Sequence, residues 1–380
     1  MSKFKTVVSF IQELYSSCNL IALHEPRFRG NEKKYLLDTI DSTYVSSVGP
    51  FVDRVERLMT QVTKTEKATA VVNGTAGLQL ALRLVGVKRG DEVLTQALTF
   101  IATANAIAYN GAKPVFIDVD LDTMGLSAKA VGHFLEEYGE LRDDGCYNKK
   151  TQNRIAACLP MHTFGFPVHL TELIDVCNKW SIPIVEDAAE SLGSQYKGKP
   201  TGSFGQMGVF SFNGNKVVTS GGGGAIVSND KTLGRMAKHL ATTSKVPHRY
   251  EYAHDHLGYN FRMPNINAAL ACAQLEQLDD FISDKREIAR IYENFFMDYG
   301  ILFRKELPGT RANYWLMCVE LENSKDRDLF LQTTNDSNIM TRPIWKLMFR
   351  APMYSKCQKD DQLNAIYLEE RIVNIPSSVR

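Results

Sequence analysis

ATAVVNGTAGLQLALRLVGVKRGDEVLTQALTFIATANAIAYNGAKPVFIDV, residues 68–119, sets three β-rich runs around two helical ones. ATAVV (68–72), EVLTQ (92–96) and PVFIDV (114–119) carry the branched and apolar residues of buried strands. TAGLQLALRLVG and ATANAIAYNGA, between them, repeat apolar residues at helical spacing. Such units build a parallel sheet, because each helix is the crossover that brings the chain back to start the next strand in the same direction. The alternation runs on through IAACLPM (155–161), HLTELIDVCNKW, PIVED (183–187), VFSF (209–212) and AIVS (225–228), which argues for one large α/β domain.

Beyond about residue 256 the alternation gives way to long helical stretches such as INAALACAQLEQLDDFISDKREIARIYENFFMDYG, then to a mixed tail with strands such as YWLMCVEL. The expected division is an N-terminal helical segment over 1–25, a large domain over 26–255 and a smaller α+β domain over 256–380. The N-terminal helix is expected to pack against the smaller domain. GELRDDGCYNKKTQN (139–153) reads as a polar surface loop.

A chain of 380 residues with 44 Lys plus Arg against 43 Asp plus Glu, net +1, and no basic run is a poor partner for nucleic acid or an anionic membrane. Its first residues, MSKFKTVVSFIQELYSSCNL, mix charges into an amphipathic pattern and lack the apolar run of a signal peptide or membrane span, so a cytoplasmic protein is expected. The 7 cysteines are scattered without Cys-x-x-Cys or metal-ligand spacing and read as reduced, mostly buried thiols. No metal is expected.

Four segments suggest chemistry. VEDAAES ends a strand at Asp187, at the carboxyl edge where open α/β sheets bind ligands. GVFSFNGNKVVTSGGGG presents Lys216 from a polar turn before Gly221 to Gly224, and backbone that free of side chains suits close approach. VVNGTAGLQLAL runs a strand into Gly74-Thr75-Ala76-Gly77 and a helix, whose free N–H groups and dipole suit a phosphate, with Ser211 as a second donor. LTFIATANAI places Phe100 at the same sheet edge, available to stack on a flat ring. Each piece alone has a plainer reading: a helix cap, a solvated lysine, a hairpin turn, core packing. Together they describe a ligand with a phosphate, an aromatic ring, a basic ring nitrogen and an aldehyde that an amine captures, and pyridoxal phosphate has all four.

At this point the chain resembles the DegT/DnrJ/StrS sugar aminotransferases of aspartate aminotransferase type, from about His24 to the C-terminus. The resemblance rests on STYVSSVGPFVDRVE, NGTAGLQLAL, LTFIATANAI, VEDAAESLGS, FSFNGNK with its glycines, and LGYNFRMPNINAALACAQL. It implies the three-layer α/β/α fold of type I pyridoxal phosphate transferases, with a mostly parallel seven-stranded sheet and a smaller α+β C-terminal domain. It implies that Lys216 captures the cofactor and Asp187 pairs with its ring nitrogen, and that Gly74, Thr75, Ala76 and Ser211 hold its phosphate. Phe100 would stack on the ring, and Asn260 would reach across a homodimer to the partner's cofactor. Glu190 stands where many relatives carry His or Gln beside the cofactor, and it reads equally as a solvated helix residue. HEPRFRGNEKKYL, STYVSSVGPFVDRVE and TRPIWKLMFRAPMY look most like the LegC-type subgroup.

The implied reaction moves an amino group from L-glutamate, through pyridoxamine phosphate, to a nucleotide-linked 4-keto-6-deoxy sugar. A UDP-2-acetamido-4-keto-2,4,6-trideoxyhexose bound for a bacterial surface glycan such as lipopolysaccharide O-antigen is the expected acceptor. Two other readings stand beside it: a dehydratase on the same cofactor, whose members carry His at the lysine position, and a non-catalytic cofactor- or sugar-binding regulator. A nicotinamide dehydrogenase is disfavoured, because no Gly-x-Gly-x-x-Gly follows the first strands.

Overall fold

A computed structural model describes residues 3–380. Seven strands form its centre: β1 (Lys67–Val71), β2 (Glu92–Gln96), β3 (Lys113–Ile117), β4 (Arg154–Leu159), β5 (Val185–Asp187), β6 (Met207–Ser211) and β7 (Gly224–Ser228). β3, β2 and β4 pair in parallel, as do β5 and β6, whereas β7 runs antiparallel between β6 and β1. The two half-sheets meet at two parallel bridges, Cys158 to Ile184 and Met161 to Asp187. The order is therefore β3-β2-β4-β5-β6-β7-β1, with every expected strand in place.

Alternation along the strands explains why the sheet is covered twice. Val93, Ala157 and Leu159 pack in one apolar cluster with Leu78 and Leu82 of helix α4 (Gly74–Leu84) and Ile107 of α5 (Ile101–Tyr109). Their neighbours Leu94 and Cys158 pack in another, with Phe134 of α6 (Ala128–Tyr138) and Leu173 of α7 (Leu170–Lys179). Successive residues of a strand face opposite sides, so the two clusters lie on opposite faces and the architecture is α/β/α.

One expectation is corrected. Residues 139–153 are not a plain loop: Gly139–Arg142 and Gly145–Asn148 pair as an antiparallel hairpin that continues onto β4. Its exposed face is polar, which hid the strands, but Cys146 and Asn148 are buried and Asn148 Nδ2 donates to Glu92 at 2.8 Å.

Toward the C-terminus an antiparallel sheet takes the order β8 (Leu302–Phe303), β9 (Met317–Glu320), β11 (Ile372–Ile375) and β10 (Arg342–Pro343). It packs with α9 (Asn265–Leu275) and the long α10 (Leu278–Tyr299) in a common core. The N-terminal helix (Lys5–Leu14) joins this part, with Phe10 stacked on Phe295 of α10 at 3.7 Å and the preceding Phe4 against Phe330 at 5.1 Å. Cys146, Cys158, Cys177, Cys272 and Cys318 are buried thiols, and all 7 cysteines are unpaired.

Candidate active site

Where the carboxyl ends of β5 and β6 meet the start of α4, a cavity of about 690 Å³ opens, closed on its far side by residues of the small sheet. Gly74, Thr75, Phe100, Asp187, Glu190, Ser211 and Lys216 all line it. Ala76 does not: its N–H donates to Asn73 Oδ1 at 2.8 Å, so the cap has already used it. The donors left to face the cavity at this helix start are those of Gly74 and Thr75. Asn260 is exposed outside the cavity of its own chain, its Oδ1 accepting from Arg262 Nε at 2.9 Å.

Asp187 ends β5 fully buried. Its Oδ2 accepts from Thr103 Oγ1 at 2.7 Å and its Oδ1 from the N–H of Ala189 at 3.2 Å. Burial pushes its pKa up, against those two donors and the nearby Lys216. The preceding Glu186 points to the other side and is fully satisfied there. It accepts from the N–H groups of Gly202 (2.7 Å), Phe204 (2.6 Å) and Gly205 (2.8 Å), and from His162 Nε2 at 3.1 Å. One acid thus locks the strand and the other is presented to the cavity.

Lys216 stands on the turn between β6 and β7, its N–H donating to Asn213 O at 3.0 Å. The glycines that follow serve this closeness. A Cβ on Gly224 would lie 2.5 Å from Phe210 O and 3.0 Å from the nitrogen of Gly74, so the lysine turn and the start of α4 can nest only without a side chain there. Lys216 Nζ lies 3.6 Å from the ring centroid of Trp315 and 3.5 Å from Glu190 Oε1. Trp315 is itself pinned by its Nε1, which donates to Asn215 O at 2.6 Å. Burial lowers the pKa of Lys216 and, despite the lysine beside it, raises that of Glu190 to about 7. Glu190 Oε2 accepts the N–H of Phe164 at 2.9 Å, at a residue held with φ of 55°. Glu190 is therefore a buried member of the site, and the reading of a solvated helix residue is excluded by its 4 % exposure.

Three contributors escaped the sequence reading: Thr103, Trp315 and Asn374. Thr103 sits within the quoted LTFIATANAI, at a helical position that puts its hydroxyl under Asp187. Trp315, just before β9, and Asn374, on β11, belong to the C-terminal part, whose meeting with Lys216 is a tertiary fact that no local pattern carries.

This donor set suits pyridoxal phosphate. A buried carboxylate with room for a cationic N–H, an amine whose charge burial disfavours, two free N–H groups at a helix start beside a serine, and a half-exposed phenylalanine match its ring nitrogen, aldehyde, phosphate and ring face. The sequence profile of the DegT/DnrJ/EryC1/StrS aminotransferase family matches residues 26–380. The chain belongs to that family. It is a pyridoxal phosphate-dependent sugar aminotransferase. It is 37% identical over 357 residues to GDP-perosamine synthase of Escherichia coli O157:H7, covering 94% of this chain and 93% of that protein. It is also 37% identical over 336 residues to the putative pyridoxal phosphate-dependent aminotransferase EpsN of Bacillus subtilis, covering 88% and 84%. The crystal structure of the aminotransferase TlmJ from Streptoalloteichus hindustanus superposes with a TM-score of 0.85 at 26% identity, covering 94% of each chain.

Proposed function

We propose that this enzyme aminates the ketone of a nucleotide-linked 4-keto-6-deoxy sugar with L-glutamate as donor, using Lys216 as the base and Asp187 as the anchor of the cofactor ring. The observation that carries the reading is the convergence of Lys216 and Asp187 on one cavity, with Glu190 3.5 Å from the lysine and both acids out of water. The nucleotide is read as guanosine or uridine diphosphate. GDP-perosamine synthase relatives favour the first, and the LegC-type resemblance of TRPIWKLMFRAPMY, on sequence alone, favours the second.

Pyridoxal phosphate supplies an aldehyde that accepts an amino group and a protonated ring that draws electrons from the adjoining carbon. The protein's part is positional. Asp187 would accept the N–H of the ring nitrogen, and the positive charge there would offset the burial that raises the acid's pKa. Lys216 must be neutral to carry a proton between substrate atoms, and burial lowers its pKa in that direction. Glu190, itself inclined to be uncharged, can take up the lysine's proton 3.5 Å away. The free N–H groups of Gly74 and Thr75 and the Ser211 hydroxyl would receive the phosphate, and Phe100, 51% exposed at the mouth, would cover the ring.

A homodimer is part of the proposal. The segment leading to Asn260 leaves Tyr250, Tyr252 and Leu257 at 75%, 80% and 75% exposure, apolar surface that a second copy would cover. Among the described residues no helix is long and apolar enough to cross a membrane.

The test is a panel of GDP-, UDP- and TDP-linked 4-keto and 3-keto sugars incubated with glutamate, with product masses read by mass spectrometry. Replacement of the carbonyl oxygen by an amine, with 2-oxoglutarate released, is expected for one 4-keto sugar and should vanish in Lys216→Ala. If sugar and glutamate bind but no 2-oxoglutarate appears, the protein is a binder and the proposal is wrong.

A further inference from the structure

We propose that the small-sheet wall of the cavity is the acceptor subsite, with Asn374 donating to an oxygen of the sugar and Arg342 and Lys346 meeting the diphosphate. This deepens the aminotransferase reading and rests on it. Asn374 lies on β11 directly opposite Arg342 on β10. Opposed residues of an antiparallel pair send their side chains to the same face, and here both side chains line the cavity.

Asn374 is only 3% exposed, yet among the described residues its buried Nδ2 has no hydrogen-bond partner. A buried donor without an acceptor is costly, and a protein keeps one where something else brings the acceptor. Beside it, Arg342 spends only Nη1, on Asn335 Oδ1 at 2.8 Å and Thr341 O at 2.7 Å, leaving Nε and Nη2 as a fork. Among the described residues neither Arg342 nor Lys346 forms an ion pair.

Charge is therefore divided within the cavity. Asp187 and Glu190 face Lys216 on one side, while the opposite wall holds two cations and no acid. The phosphate donors at α4 and Ser211 are a separate group on separate elements, so the wall answers to a second anion. An orphaned donor next to two cations calls for a ligand that brings an acceptor oxygen and negative charge together. A sugar diphosphate brings both, hydroxyl or ring oxygens for the amide and a diphosphate for the two cations; a dicarboxylic amino donor, whose carboxylates accept from the same groups, is the competing occupant.

The two half-reactions separate the alternatives. In Asn374→Leu the KM for the keto-sugar nucleotide should rise about tenfold or more, as loss of a hydrogen bond to a polar substrate predicts. Single-turnover release of 2-oxoglutarate from glutamate should stay within about twofold of wild type. Removing a donor that lacks a partner in the free enzyme should not lower its melting temperature. With GDP and UDP as probes in calorimetry, Arg342→Gln and Lys346→Gln should each raise Kd about tenfold for the nucleotide that binds. Equal damage to the glutamate half-reaction would assign the wall to the donor and overturn the proposal. So would unchanged KM and Kd in all three variants. Should Asn374→Leu not fold, the two exposed cation variants decide alone. A wild-type enzyme that releases no 2-oxoglutarate defeats the aminotransferase reading instead, and the nucleotide-binding arm still tests the wall.

Discussion

Lys216 and Glu190 face each other with side chains 12% and 3% exposed, an amine and an acid that burial drives toward their neutral forms. The folded pKa of Glu190, about 7, lies above its ordinary value, so this group favours folding at low pH and withdraws that support as pH rises from about 4.5 to 7. Glu190→Gln should therefore flatten the fall in melting temperature of the cofactor-free protein across that window. Identical slopes for the two proteins would contradict the assignment. Thr103 is a positioning residue that holds Asp187 and shares a hydroxyl contact with Thr99 at 2.7 Å. Thr103→Val keeps the shape and removes the donor, at about 1.5–3 kcal/mol for a hydrogen bond to a charged group. Cofactor retention after dialysis should fall by about tenfold or more, while the cofactor-free protein melts lower by no more than the several degrees that such a loss implies in a chain of this size. At this scale Lys216 and Asp187 were readable, because strand ends and glycine runs leave local marks. Thr103 was not, since a threonine in an apolar helix looks the same whether or not a carboxylate lies above it.

Helix α10 carries a lysine that is fully buried and, among the described residues, forms no ion pair. Lys285 Nζ donates to Trp315 O at 3.2 Å and to Ser377 O, and burial takes its pKa from 10.5 to about 7. It clips the start of β9, and with it the indole under Lys216, to the C-terminal segment. Replacing a buried charge by an apolar side chain of similar size is often neutral or stabilising. Lys285→Met should then melt no lower than wild type yet release cofactor more readily, because Trp315 loses its tether. A depressed lysine pKa favours the folded state increasingly as pH climbs from about 7 toward 10.5, so the variant should also lose that rise. Normal cofactor retention in the variant would show that Trp315 needs no such clip. The seven central strands were legible because burial on both faces makes them continuous apolar runs. The hairpin at 139–148 was missed because only one of its faces is buried and its polar residues dominate the pattern.

For the whole molecule the issue is whether one chain makes a complete site. Asn260 is exposed within its own chain, its backbone bridged to Thr242 and its side chain, among the described residues, bonded to Arg262. If it serves the partner's cofactor, Lys216→Ala and Asn260→Ala should each be impaired alone and regain activity when unfolded and refolded together, since a mixed dimer rebuilds one intact site from the two wild-type contributions. No recovery on mixing would place Asn260 in its own chain's site or in none.

The seam between the half-sheets offers a last consequence. Of the two bridges that stitch β4 to β5, one is made by the backbone of Asp187, the same residue whose carboxylate waits at the cavity. A ligand held by that carboxylate is gripped through the same residue that stitches the central sheet, and because it binds only the folded chain, its presence would add to the stability of the seam.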